Sequence, residues 1–243
     1  IGLTATGGGE FEELCRTTGA ETYKAHACDF DDTAALLYSS GTTGQPKGIR
    51  ITHGALAANA ATLADAWGFS AEDVLVHALP VFHVHGLFVG ISCALMSGSA
   101  MYWLNAYAVD PVLNALPECS VMMGVPTYYT RLLSAENFSE SHAESVRLFI
   151  SGSAPLLPET FQAFEARTGK RILERYGMTE TGMNSSNPLD GERLAGTVGP
   201  ALPGVTIRVT DAQNAPVPTG EVGSVQVKGP KVFQGYWRLP DLS

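Results

Sequence analysis

"TAALLYSSGTTGQPKGIRIT", residues 33–52, sets two short apolar runs on either side of a loop with little side-chain bulk. Thr33–Tyr38 reads as a buried strand that delivers the loop, and Ile49–Thr52 as a strand that leaves it. Between them Ser39, Ser40, Thr42 and Thr43 offer hydroxyls, Gly41 and Gly44 permit close backbone approach, and Lys47 adds a cation. Such a loop can aim backbone N–H groups at an anion, so its composition suits a polyphosphate. It is not of the GxxxxGK[ST] type, because Pro46 precedes the lysine and Gly48 follows it. Surface loops rich in Ser, Thr and Gly share this composition; the flanking strands favour the phosphate reading.

Outward from this loop, strands and helices alternate. Thr52 is a good N-cap for an Ala-rich helix ending near Gly68. Asp73–Leu79 reads as a strand stopped by Pro80, followed by a helix from about Gly86 and a strand over Ser99–Leu104. Asp110 followed by Pro111 reads as an N-cap with proline at the first helical position. "SVMMGV" is a strand, Pro126–Leu133 a helix, Val146–Ser151 a strand, Pro158–Thr168 a helix stopped by Gly169, and Arg171–Tyr176 a strand. This alternation predicts an α/β fold with a largely parallel sheet flanked by helices. Past Gly191 the chain turns rich in Gly, Pro and Val, which predicts a smaller antiparallel β subdomain. The expected division is residues 1–30 as the end of a preceding subdomain, 31–190 as the α/β unit and 191–243 as the β subdomain.

Composition narrows the function classes. A formal charge of −9 with no basic block argues against nucleic-acid binding. No run reaches the roughly 20 apolar residues of a membrane span; the longest, Gly86–Met96, is broken by Gly90, Ser92 and Cys93. Cys15, Cys28, Cys93 and Cys119 are scattered with no CxxC pair, which predicts reduced thiols and a cytoplasmic setting. The start "IGLTATGGGE" has neither the pattern of a signal peptide nor an initiator methionine.

Three motifs carry a family resemblance. "YSSGTTGQPKG" (38–48) resembles the phosphate loop of the adenylate-forming superfamily, which includes acyl-CoA synthetases, peptide-synthetase adenylation domains and luciferases. "LPVFHVHGL" (79–87) resembles its aromatic/histidine motif and "ERYGMTET" (174–181) its Tyr-Gly-x-Thr-Glu motif, in the family's order and spacing. The wording of the last two is most similar to malonyl-CoA synthetases. The resemblance implies an acid–CoA ligase that uses ATP and Mg²⁺, forms an acyl-adenylate and passes the acyl group to coenzyme A.

It also assigns expected roles. Ser39, Ser40, Gly41, Thr42, Thr43, Gly44 and Lys47 would hold phosphates. Glu180 would hold Mg²⁺, a hard oxygen ligand for a hard cation. Thr179 would donate to the α-phosphate, and Tyr176, Gly177 and Met178 would line the adenine opposite Ser153, Ala154 and Pro155. "SGSAP" (151–155) follows a strand end, where ligands gather in open α/β sheets; it is not a GxSxG elbow. His83 would sit between the acyl pocket and the phosphates and gate entry of the carboxylate. His77, His83 and His85 could instead form a metal site, but no cysteine or carboxylate lies at ligand spacing.

A dicarboxylate substrate needs a cation in its pocket, because an unpaired buried carboxylate is costly. Arg131 and Arg175 sit in otherwise uncharged stretches and can hold a carboxylate bidentately, with Ser151 beside them. Arg131 could equally lie on a helix surface, and Arg175 could pair with Glu174 or Glu165. Malonate or methylmalonate is therefore the expected acid. Short- or medium-chain acyl-CoA synthetases, a peptide-synthetase-type adenylation domain, a non-catalytic nucleotide-binding fragment and a serine hydrolase are the alternatives. Family members are roughly twice as long. They carry an N-terminal segment, a Thr-Gly-Asp after the "GYW", and a C-terminal lysine domain, none of which these residues include. The chain by itself is expected to bind ATP weakly, not to turn over, and to self-associate through uncovered apolar edges.

Overall fold

A computed structural model describes residues 13, 16–17, 24–39 and 46–242. Its centre is a six-stranded sheet in the order β4-β3-β5-β6-β7-β8. The strands are β3 (Val74–His77), β4 (Ala100–Trp103), β5 (Val121–Gly124), β6 (Leu148–Ser151), β7 (Leu173–Met178) and β8 (Gly182–Ser186). The first five run parallel; β8 turns back antiparallel to β7.

Why the parallel strands read as unbroken apolar runs is visible in their sidedness. Successive side chains point to opposite faces, and helices cover both. On one face Val76, Met122 and Phe149 pack with Tyr129 and Phe164. On the other Leu75, Val121, Met123, Leu148, Ile150 and Leu173 pack with Leu63 and Trp67. The first group meets α3 (Val109–Ala115), α4 (Pro126–Ser134), α5 (Glu140–Ala143) and α6 (Pro158–Thr168); the second meets α1 (His53–Ala66) and α2 (Ser92–Ser97).

Local signals hold at several ends. Thr52 Oγ1 accepts from Ala55 N–H at 3.0 Å and caps α1, and Gly169 stops α6 with φ 68°, a left-handed conformation that suits glycine. Residues His85–Ile91 form a π-helical stretch leading into α2.

Two expectations change. The strand at the phosphate loop, β1 (Thr33–Ser39), is not buried in the large sheet. It is half-exposed and pairs antiparallel with β2 (Lys47–Thr52) as a separate hairpin, with Ser39 opposite Lys47. Ala35 and Leu37 pack on a small cluster around Ile49 and Ile51, and Leu37 also reaches the core on one face of the large sheet. Asp110 does not cap α3: Val109 is already helical, Ala108 is the extended flanking residue, and Asp110 lies in the first turn. There its carboxylate still faces the positive end of the helix. Beyond Gly191, β9 (Thr206–Thr210) and β10 (Ser224–Lys228) pair antiparallel as expected. Among the described residues, Cys28, Cys93 and Cys119 are free thiols, and no helix is long and apolar enough to cross a membrane.

Candidate active site

Ligands of open parallel sheets gather beyond the carboxyl ends of the strands, and the conspicuous cavities lie there. After Ile150↔Leu173 and Ser151↔Glu174, β6 leaves the sheet while β7 continues to Met178. The gap between them holds a cavity of about 330 Å³. Its walls include Ser151, Ser153, Ala154 and Pro155 on one side and Arg175, Tyr176 and Gly177 on the other. A second cavity, about 120 Å³, shares Ser153, Arg175 and Gly177 with the first and adds His83, His85, Met178 and Thr179. The two motifs that are far apart in sequence thus form one continuous cleft.

Gly177 is required by packing. A Cβ there would lie 2.2 Å from Met183 Cε and 2.5 Å from Gly182 O. The β7–β8 register also shifts between Tyr176 and Gly177, a bulge that re-aims the strand at the cleft.

Arg175 is the unusual charge. It is 3% exposed, its Nε and Nη2 have no partner among the described residues, and burial pushes its pKa down to about 10. Neither carboxylate proposed for it is paired with it: Glu165 binds Arg171 at 2.6 Å, and Glu174 Oε1 accepts from Gly196 N–H at 3.0 Å. Its guanidinium lies against Gly152, where a Cβ would come within 2.5 Å of Cζ.

Neutral imidazoles surround this cation. Burial, then Arg175, lowers the pKa of His83 and drives that of His85 well below the usual value. His83 Nδ1 accepts from His85 N–H at 3.1 Å, which leaves Nε2 to carry the proton of the neutral ring. His85 Nδ1 shares a 3.2 Å hydrogen bond with Ser153 Oγ, and Ser153 holds the unusual φ of 70°. His77 is buried against Trp103, ring centroids 4.6 Å apart, rather than joined to His83 and His85 in a ligand set. Among the described residues no group of three His, Cys, Asp or Glu side chains could hold a metal.

Arg131 is elsewhere. It lines a third cavity, about 550 Å³, with Phe82, Trp103, Tyr107 and Tyr128, and its guanidinium stands 6.0 Å from the Tyr107 ring centroid. The two arginines do not line one pocket. Pro80–Phe82 face this third cavity while His83–His85 face the second, so one short segment walls both.

The phosphate-loop residues Ser40, Gly41, Thr42, Thr43 and Gly44 lie outside the described residues. The loop's two anchors are described: Ser39 ends β1 and Lys47 begins β2. Glu180 sits in the turn between β7 and β8, and a residue that sequence reasoning missed connects it to Lys47. Tyr236 O–H donates to Glu180 Oε1 at 3.1 Å, and Lys47 Nζ stands 5.4 Å from the Tyr236 ring centroid. The loop anchor and the acidic turn therefore converge on Tyr236, and Glu180 is one residue beyond Thr179 of the second cavity. Lys231 was missed as well: it is 3% exposed, donates to Met183 O at 3.0 Å, and burial lowers its pKa to about 8.

A family model described as "AMP-binding enzyme" matches residues 4–237. The chain belongs to the AMP-binding enzyme family. A malonate–CoA ligase of Arabidopsis thaliana is 36% identical over 249 residues, covering 94% of this chain and 40% of that protein. The ATP-bound structure of MatB from Rhodopseudomonas palustris superposes with a TM-score of 0.94 at 48% identity, over 97% of this chain and 47% of that one. A malonyl-CoA ligase in a ternary product complex with methylmalonyl-CoA and AMP gives a TM-score of 0.83 at 42% identity, over 90% of this chain and 48% of that one. The chain spans less than half the length of each.

Proposed function

We propose that this chain forms the nucleotide- and acid-binding part of an ATP-dependent acid–CoA ligase whose acid is malonate or methylmalonate. One observation carries the choice of acid: Arg175, a buried guanidinium without a carboxylate partner, faces the same cleft as the Tyr176–Gly177 and Ser153–Pro155 walls. A second carboxylate on the substrate would complete that pairing, whereas a monocarboxylic fatty acid would leave it unmet. Relatives at 36% and 42% identity that are named for malonate or malonyl-CoA support the same reading.

In this reading Tyr176 and Gly177 stack against and admit the adenine, with Ser153, Ala154 and Pro155 opposite. Thr179 and Lys47 donate to phosphate oxygens. His83, neutral and carrying its proton on Nε2, offers a hydrogen bond to the incoming carboxylate without competing for it as a cation. Both reactants of the first step are anions, so these groups act by positioning and by offsetting charge. The half-buried Glu180 carboxylate, whose partner is a neutral phenol, fits a divalent cation. When bound, Mg²⁺ would offset phosphate charge from there.

Calorimetric titration of the chain with ATP, then with malonate, methylmalonate, acetate and octanoate in the presence of ATP, tests the reading. Malonate and methylmalonate should bind and octanoate should not. Equal binding of acetate and malonate would overturn the assignment of the acid.

A further inference from the structure

The Lys47–Tyr236–Glu180 arrangement has a feature that the proposed roles of Lys47 and Glu180 do not explain. A lysine ammonium lies over the face of one phenol ring and a glutamate carboxylate at its hydroxyl, yet neither has an oppositely charged partner among the described residues. We propose that Tyr236 is a positioning residue that keeps Lys47 and Glu180 apart, so that both stay available to a magnesium–polyphosphate ligand; this rests on the reading given under Proposed function.

The segment carrying Tyr236 is fixed from both sides. Trp237 N–H donates to Gly48 O at 2.6 Å, and Ile49 bridges Tyr236 in the antiparallel sense, which ties the segment to β2. Phe233 N–H donates to Glu180 O at 2.7 Å, which ties it to the turn between β7 and β8. Lys231 adds its contact with Met183 O on β8. The backbone therefore brings the β1–β2 hairpin and the Glu180 turn together with Tyr236 between them.

Each side of the phenol does a different job. Its π-face attracts the ammonium without neutralising it. Its hydroxyl gives Glu180 Oε1 a hydrogen bond and leaves the carboxylate its charge. A flexible lysine and a carboxylate brought this close would otherwise pair with each other. That pair would set the phosphate-binding cation against the cation-binding anion. A wider separation would avoid the pairing but would spread the ligand's contacts beyond one phosphate group.

The test is binding of ATP to the chain with EDTA present, where Glu180 can only hinder, together with Mn²⁺ binding followed by electron paramagnetic resonance. Tyr236→Ala should weaken metal-free ATP binding about tenfold, the range of a lost cation–π contact plus a competing ion pair. Adding Glu180→Gln to Tyr236→Ala should restore most of that loss, because Lys47 is released again. Tyr236→Phe keeps the ring and loses the hydroxyl. It should leave metal-free ATP binding within about twofold and weaken Mn²⁺ binding several-fold, and it keeps the test decisive should Tyr236→Ala not fold. If Tyr236→Ala matches the unsubstituted chain, if Glu180→Gln gives no restoration, or if Tyr236→Phe loses metal-free ATP binding, the separating role is wrong. Failure of the unsubstituted chain to bind ATP at all is a different result: it removes the ligase reading and this inference with it.

Discussion

Two arginines at the same sheet live in opposite circumstances: 34% of the Arg147 side chain is exposed, whereas Arg175 is 3% exposed. Arg147 begins the run into β6 and is fully engaged: Nε and Nη2 reach the two oxygens of Asp73 at 2.8 and 2.7 Å, while Nη1 and Nη2 donate to Trp67 O and Gly68 O. Asp73 is further held by Ser120 O–H at 2.7 Å. Arg175, on β7, has no carboxylate and leaves two donors unmet. The Arg147 pairing satisfies the buried Asp73 carboxylate, whereas the unmet donors of Arg175 are the ones that a ligand carboxylate would meet under the proposed function.

Substitutions that reverse these roles probe the contrast, and the largest effect belongs to Arg175. Arg175→Met should cut malonate affinity by about 2–4 kcal/mol, on the order of a hundredfold. It should leave the melting temperature unchanged or raised, since an unpaired buried charge has been removed; a large loss of stability would show that Arg175 is structural after all.

Asp73→Asn should do the converse, costing about 1–2 kcal/mol in urea denaturation with malonate affinity intact, since the Arg147 left behind is partly solvated. The same pair predicts an acid limb. Partners hold the Asp73 pKa down at about 2 against an ordinary 3.8. Its stabilisation is therefore complete above pH 3.8 and lost as pH falls toward 2. Asp73→Asn should flatten that limb.

Gly152→Ala is a gentler route to Arg175. The added methyl would meet the guanidinium at 2.5 Å, so malonate affinity should fall about tenfold, from a strain of roughly 1–2 kcal/mol. His85→Ala should act less, by a few-fold, because it releases Ser153 without touching the cation; His85→Asn, which can still hydrogen-bond, should recover part of the loss. The smallest expected change is for Arg131→Ala: since Arg131 lines another cavity, the preference for malonate over acetate should move by less than about twofold. A larger drop would bring the two arginines back into one pocket and sharpen the contrast in the other direction.

The sequence made the parallel sheet legible because both of its faces are buried, which turns β3, β5 and β6 into unbroken apolar runs. Thr52 and Gly169 were legible because caps and stops act within a few residues. β1 was misplaced for the same reason: an apolar run states that a strand exists, not which sheet it joins. Asp110 looked like a cap because the Asp–Pro pair fits that position one residue later in many helices, and here Val109 had already begun the turn. The Tyr-Gly and Ser-Gly-Ser-Ala-Pro walls were readable as motifs, and the coordinates bring them to one cleft. Arg131 and Arg175 could not be told apart in sequence, since burial and partners, which separate them, depend on the tertiary fold. Tyr236 left no local signal of this role, because it meets Glu180 from 56 residues away and Lys47 from across most of the chain's length.

The short segment from Pro80 to His85 works as a party wall. Phe82 faces the aromatic chamber of Arg131 while its neighbour His83 faces the cleft of Arg175. The backbone of this segment is common to both rooms, so a shift of the segment itself would move the lining of each. An occupant that displaced this backbone from one side would reach the other, whereas trimming the Arg131 side chain would leave the partition standing.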